Sequence, residues 1–126
     1  MDHLPIFINI RKKPCIVIGG GDIALRKINL LLKAQAKVDC LSPLFCKGIK
    51  NLSKDGHITL INKSFDQTDI KDYSIIIAAT DDSSVNSSIS AIAQVKKIPV
   101  NVVDSPELSS FIMPSIVDRS PLIIAV

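Results

Sequence analysis

Residues 15–34 read CIVIGGGDIALRKINLLLKA, and this stretch constrains the fold more than any other. The apolar run Cys15 to Ile18 has the length and composition of a buried strand. Three glycines follow, and from Asp22 the period changes. Ala24, Ile28, Leu31 and Leu32 recur at three- and four-residue steps, with Arg26, Lys27 and Lys33 as polar interruptions, the pattern of an amphipathic helix over Asp22 to Ala34. Strand, tight turn and helix in one piece make half of a βαβ unit, which points to parallel strands joined by crossover helices.

The rest of the chain repeats the alternation. Ala36 to Leu41 reads as a strand, and Pro43 to Leu52 as a helix with Pro near its start, where a missing N–H costs least. Asp55-Gly56 turns into a strand over 57–61, and residues 66 to 73 form a short polar helix or turn. Tyr73 to Thr80 is almost wholly apolar, as a strand covered on both faces must be. Ser83 to Val95 carries Val85, Ile89, Ile92 and Ala93 on one helical face, and Ile98 to Val103 is the last core strand. Upstream, Ile6 to Ile10 is a further strand candidate, followed by a turn at Arg11-Lys12-Lys13. The expected class is α/β, a Rossmann-like doubly wound parallel sheet. At 126 residues the chain suits one core, and with aromatics at 4% and no Trp that core is built from Ile, Leu, Val and Ala.

Ser109 to Val126 breaks the rhythm: two apolar runs flank Asp118-Arg119-Ser120-Pro121, which predicts a strand pair with little chain left to cover it. An exposed apolar ribbon is a pairing surface. The expected division is therefore a nucleotide-binding domain over 1–112 and the start of a dimerisation region over 113–126, with a homodimer as the expected assembly.

Several function classes are disfavoured. The net charge of +3, without a dense Lys/Arg block, gives no support for nucleic acid, though it suits an acidic small molecule. Cys15, Cys40 and Cys46 are odd in number and lack CxxC spacing, which predicts reduced thiols and no metal site. No apolar run approaches the ~18–20 residues of a membrane helix, so a soluble cytoplasmic protein is expected. His3 and His57 are isolated and receive no role.

In an open parallel sheet, ligands bind beyond the carboxyl ends of the strands, near the point where strand order reverses. Gly19-Gly20-Gly21-Asp22 follows the first core strand, Ser42-Pro43-Leu44 the second, Thr80-Asp81-Asp82 the fourth and Asp104 the fifth. GGGDIA fits the G-x-G-x-x-A fingerprint in the right context, with glycines for the tight turn and for close approach of a pyrophosphate to a helix N-terminus. The acid expected about 20 positions on, to bind the ribose, is missing: Leu41-Ser42 stands there, and Asp39 comes too early. Ser42, or the backbone at Pro43 and Leu44, is the substitute candidate, and NAD is favoured over NADP because no Arg is present for a 2′-phosphate. Thr80 and Asp81 are expected to line the crevice, whereas Asp82 serves equally well as a helix cap. Asp104 stands either at the ligand edge or as a turn residue hydrogen-bonded to backbone.

Taken together, LPIFINIRKKPCIVIGGGDIALRKINLLLKA, AATDDSSVN and NVVDSPELSSFIMPSIVDRSPLIIAV resemble the N-terminal module of the siroheme synthases, the precorrin-2 dehydrogenase/sirohydrochlorin ferrochelatase family. The resemblance runs in order through essentially the whole chain, and Phe111-Ile112-Met113-Pro114 with Asp118-Arg119-Ser120-Pro121 is its most specific part. It implies a tetrapyrrole enzyme that oxidises precorrin-2 to sirohydrochlorin with NAD, and in many members then inserts ferrous iron to make siroheme. The family's key aspartate matches Asp104, and its cofactor contacts match Asp22, Ile23, Pro43 and Leu44. One carboxylate serving both steps is chemically coherent, since each releases protons that a base must accept. Family members continue well past the position of Val126, so the chain is expected to be a fragment or short form of the module.

A second reading is a nucleotide-sensing module of the kind that gates potassium transporters, to which AATDDSSVN is also similar. Such modules generally carry the ribose-binding acid that is missing here and have nothing like FIMPSIVDRSPL.

Overall fold

Five parallel strands in the order β3-β2-β1-β4-β5 form the central sheet of the computed structural model, which describes residues 1–126. The elements are β1 (Pro14–Ile18), α1 (Asp22–Lys33), β2 (Lys37–Ser42), α2 (Lys47–Lys54), β3 (Ile58–Asn62), β4 (Ile75–Ala78), α3 (Ser83–Val95) and β5 (Val100–Val102). An antiparallel ribbon of β6 (Ile116–Arg119) and β7 (Leu122–Ala125) follows. The chain builds outward from β1 through β2 to β3, then returns to place β4 on the other side of β1. Strand order therefore reverses between β1 and β4, and the crevice beyond their carboxyl ends is the switch point.

Side-chain alternation along the strands divides the apolar residues into two cores. Cys15 and Val17 of β1 join Ala24, Ile28 and Leu31 of α1 and Ile49 of α2 on one face. Ile16 and Ile18 join Ile89 and Ala93 of α3 on the other. A strand buried on both faces cannot alternate polar with apolar residues, which is why β1 and β4 read as continuous apolar runs. Cys15, Cys40, Ile76 and Ile77 have no exposed surface. Burial pushes the Cys15 thiol up to about 11. It pushes Cys40 up to about 12, with a smaller contribution from nearby Cys46.

β5 is an edge strand, and the segment after it covers that edge with serines rather than with a sixth strand. The Ser110 hydroxyl accepts from the Val100 N–H at 2.9 Å, and the Ser109 hydroxyl from the Val102 N–H at 2.8 Å. The Asn101 side-chain amide donates to the Phe111 carbonyl at 3.2 Å. These contacts satisfy backbone donors that would otherwise invite another chain, and they pin the loop that carries Asp104.

Three expectations need correction. Ile6 to Ile10 is not a strand: β3 and β5 hold the two sheet edges, and Ile6, Phe7 and Ile8 are exposed while Ile10 alone is buried. Helix α2 begins at Lys47 rather than Pro43, because residues 43–46 form a bend held against the glycine turn. β4 and β5 are shorter than the apolar runs that contain them. The expected strand pair at the C-terminus forms, with all eight of its residues exposed. No helix is long and apolar enough to cross a membrane.

Candidate functional site

The carboxyl ends of β1, β2, β4 and β5 open onto a crevice of about 1150 Å³. Its walls contain Gly19, Gly20, Gly21, Asp22 and Ile23 after β1, and Ser42, Pro43 and Leu44 at the end of β2. Thr80 and Asp81 after β4 and Asp104 after β5 complete it. Every residue singled out from the sequence therefore reaches one cavity, although four separate loops supply them.

Each glycine of the turn meets a different constraint. Gly19 has φ +137°, and a Cβ there would lie 2.1 Å from the Ala79 carbonyl oxygen. A Cβ on Gly20 would lie 1.8 Å from the Leu44 carbonyl oxygen and 2.8 Å from the Ser42 hydroxyl. The Cys46 N–H donates to the Gly20 carbonyl at 2.7 Å, so the bend after β2 interlocks with the turn after β1. Gly21 differs from both: its φ is −95° and nothing lies within 4 Å of the position a Cβ would take. Its missing side chain leaves open space at the mouth of α1.

Two helix N-termini face the crevice, and they are treated differently. Asp82 caps α3, its carboxylate accepting from the Ser84 N–H at 2.9 Å and the Val85 N–H at 3.2 Å. The Ser84 hydroxyl and these N–H groups hold the Asp82 carboxyl below the usual range. Thr80 is fixed beside it: its hydroxyl donates to the Asn86 side-chain Oδ1 at 2.6 Å, and the Asn86 side-chain Nδ2 donates back to the Thr80 backbone carbonyl at 3.1 Å. Asn86 is the last residue of the AATDDSSVN stretch, and that position was its sequence signal, although its bond to Thr80 was not read from it. Helix α1 begins at Gly21 with no side-chain cap. Its first N–H groups remain available to an anion, and the helix dipole favours one there.

Asp104 follows β5 with φ +59°, a left-handed conformation that Asp tolerates better than most residues. Its carboxylate is exposed and takes part in none of the side-chain hydrogen bonds or salt bridges of the chain. The turn-residue reading, in which the backbone occupies the carboxylate, does not describe it. The strand–turn geometry instead presents an uncommitted acid at the crevice rim. Asp39, mid-strand in β2, lies outside the crevice and accepts from the Tyr73 hydroxyl at 2.8 Å. Burial, followed by this bond and the charge of Asp39, raises the Tyr73 pKa. Ser42 is buried, its hydroxyl accepting from the Leu44 N–H at 3.4 Å. No cluster of three His, Cys, Asp or Glu side chains is arranged to hold a metal.

A family model described as "Putative NAD(P)-binding" matches residues 6–115. Over the full chain, identity is 54% to a siroheme synthase of Ruthia magnifica subsp. Calyptogena magnifica. It is 50% to a siroheme synthase of Nitrosomonas europaea. The chain spans 27% of the length of each. Among solved structures, the precorrin-2 dehydrogenase SirC superposes with a TM-score of 0.86 at 22% identity, over 98% of this chain and 60% of that one. D-Lactate dehydrogenase from Escherichia coli superposes with a TM-score of 0.57 at 14% identity, over 82% of this chain and 32% of that one. Both likenesses bear on the fold alone, a Rossmann-like parallel sheet with helices.

Proposed function

This chain belongs to the NAD(P)-binding family whose pattern runs through residues 6–115, and on that premise we propose that it binds NAD and dehydrogenates precorrin-2 to sirohydrochlorin. One observation carries the reading: an uncapped helix N-terminus and an uncommitted carboxylate line the same crevice from opposite sides of the β1/β4 switch point. The likeness to siroheme synthases at 54% identity, and to SirC in fold, supports the choice of substrate.

The residues fit the cofactor. The open space at Gly21 admits a pyrophosphate against the free N–H groups of Asp22 and Ile23. Ser42, Pro43 and Leu44, at the end of β2, border the adenosine side, while Thr80, Asp81 and Asp104 border the nicotinamide side. Two strand spacings separate the glycine turn from Asp104, roughly 10 Å, a reach suited to the cofactor between its pyrophosphate and its reactive ring. The missing ribose acid leaves the hydroxyls to backbone and Ser42, and no Arg lines the crevice for a 2′-phosphate, so NAD is preferred to NADP. Bound NAD supplies the hydride acceptor.

The chain's own part is to hold the substrate opposite that acceptor and to take up a proton. Dehydrogenation removes a hydride and a proton from precorrin-2, and the Asp104 carboxylate receives the proton. Ferrous iron insertion into the oxidised ring, the further step the resemblance implies, draws on the same acceptor as the pyrrole nitrogens lose their protons. The exposed ribbon and residues 113–126 form the start of a dimerisation region, with a second copy as partner. Incubation with precorrin-2 and NAD, followed by the rise of the sirohydrochlorin spectrum, tests the reading. Tight NAD binding with no turnover would return the sensor as the better description.

A further inference from the structure

Beside the cofactor crevice lies a second cavity of about 590 Å³, and the two share Ile23, Val103 and Asp104. One wall is helix α1, which presents Ile23, Arg26, Lys27, Leu30 and Lys33. These positions fall at helical steps of three and four residues, on the face opposite the buried Ala24, Ile28 and Leu31. The other wall is Pro114, Ser115 and Ile116, where the chain enters the ribbon. The cavity is thus amphipathic: Ile23, Leu30, Pro114 and Ile116 give it apolar surface, and three cations stand along one side.

Those cations are unpaired. The chain has one salt bridge, Lys63 to Asp69, so Arg26, Lys27 and Lys33 have no acidic partner within 4.0 Å. Lys33, in the last turn of α1, also complements the helix dipole there, but that role does not extend to Arg26 or Lys27. Asp104 is the sole acid on the cavity wall and sits at the junction with the crevice. Like-signed side chains gathered at a cleft favour an anion of matching shape.

We propose that this second cavity is the carboxylate-recognition subsite for the substrate: an apolar ring system bearing several carboxylates, clamped by Arg26, Lys27 and Lys33 so that its edge reaches Asp104. The inference rests on the proposed dehydrogenase reading and adds the residues that hold and orient the ring. The cations draw the carboxylates to the α1 flank, the apolar surfaces cover the ring, and the reacting carbon is left at the shared carboxylate beside the cofactor. A monocarboxylate would engage the site weakly, and a neutral ring would gain only the apolar contacts.

The test uses the chain itself and uroporphyrin, a flat ring with many carboxylates, as the fluorescent probe. Exposed charge contacts are individually modest, so Arg26→Gln, Lys27→Gln and Lys33→Gln should each weaken binding roughly threefold, and the triple variant roughly thirtyfold. Affinity of the wild type should fall steeply with added salt, and the triple variant should lose most of that dependence. Coproporphyrin, with fewer carboxylates, should bind the wild type more weakly and be less sensitive to the substitutions. NAD titration of the same proteins separates the two levels. A triple variant that binds uroporphyrin like the wild type, or a wild type that does not bind it, overturns the subsite. Failure of the wild type to bind NAD instead removes the dehydrogenase reading beneath it. In turnover assays the triple variant should raise KM far more than it lowers kcat, and an unchanged KM would also overturn the assignment.

Discussion

Replacing Gly21 by Ala should separate cofactor binding from stability. Gly21 has φ −95° and ψ −167°, extended backbone open to any residue, and a Cβ there meets nothing within 4 Å. Ala is a poorer helix N-cap than Gly, by up to about 1 kcal/mol, while the lower entropy of the unfolded chain returns about 0.4–1 kcal/mol. The net change is within about 0.5 kcal/mol, or about 2 °C in Tm for a chain of this size. Binding should respond very differently. On the proposed reading, the new methyl occupies the space through which a pyrophosphate would reach the N–H groups of α1. Loss of one hydrogen bond to a charged group costs about 1.5–3 kcal/mol, roughly a ten- to hundredfold increase in Kd for NAD. Gly20→Ala provides the contrast, since its Cβ would lie 1.8 Å from the Leu44 carbonyl oxygen, a backbone atom. Overpacking there should cost about 2 kcal/mol, about 8 °C in Tm. Calorimetry with and without NAD measures both effects. A folded Gly21→Ala protein that binds NAD within twofold of the wild type would refute the placement of the pyrophosphate.

Asp104→Asn keeps a side chain that tolerates left-handed backbone while removing the proposed proton acceptor. It should lower kcat for sirohydrochlorin formation by roughly 10²–10⁴-fold with NAD affinity unchanged; full activity would exclude the proton-acceptor role. If the carboxylate also serves iron insertion, the same variant should slow anaerobic metallation of sirohydrochlorin by ferrous iron. The buried thiols predict an alkaline limb. The fold keeps Cys15 and Cys40 neutral to about 11 and 12, whereas the unfolded chain ionises near 9.0. Stability is thus full below about pH 9 and falls above it by about 1.4 kcal/mol per pH unit per thiol. Urea midpoints, compared with those of the Cys15→Ala/Cys40→Ala double variant, should show a limb that the variant largely lacks; parallel curves would refute it. Sedimentation should show a dimer at micromolar concentration, and Ile124→Lys on the exposed ribbon should shift it to monomer; a monomeric wild type would exclude pairing through this surface.

The sequence was most legible where one local signal had one structural meaning. Helix α3 runs from Ser83 to Val95 as expected, because Asp82 supplies a start signal and Val85, Ile89 and Ala93 hold the helical period. The glycine turn was equally plain, since few arrangements other than a strand-to-helix turn place three glycines between a strand and an amphipathic helix. Ile6 to Ile10 was misleading: apolarity shows that a segment needs cover, not what covers it, and no sheet edge is free beside it. The start of α2 was misplaced because Pro43 suits a first helical turn and a bend alike, and the deciding contact, Leu44 against Gly20, is long-range. The cavity joining α1 to Pro114, Ser115 and Ile116 could not be read from the sequence, since its walls lie about eighty positions apart. Asp104 fell between these cases: its place at a strand end was legible, but its freedom from backbone partners was not.

The interlock between the glycine turn and the bend at 43–46 bears on any attempt to change the dinucleotide this chain accepts. An engineer grafting an acidic ribose clamp onto residues 42–44 would be altering the scaffold as well as the recognition surface. The graft must still offer an amide at position 46 to the Gly20 carbonyl and leave room for the Leu44 carbonyl above it. Transplants that ignore this coupling should lose the shape of the glycine turn before they gain selectivity, so the turn and the bend together are the smallest exchangeable unit.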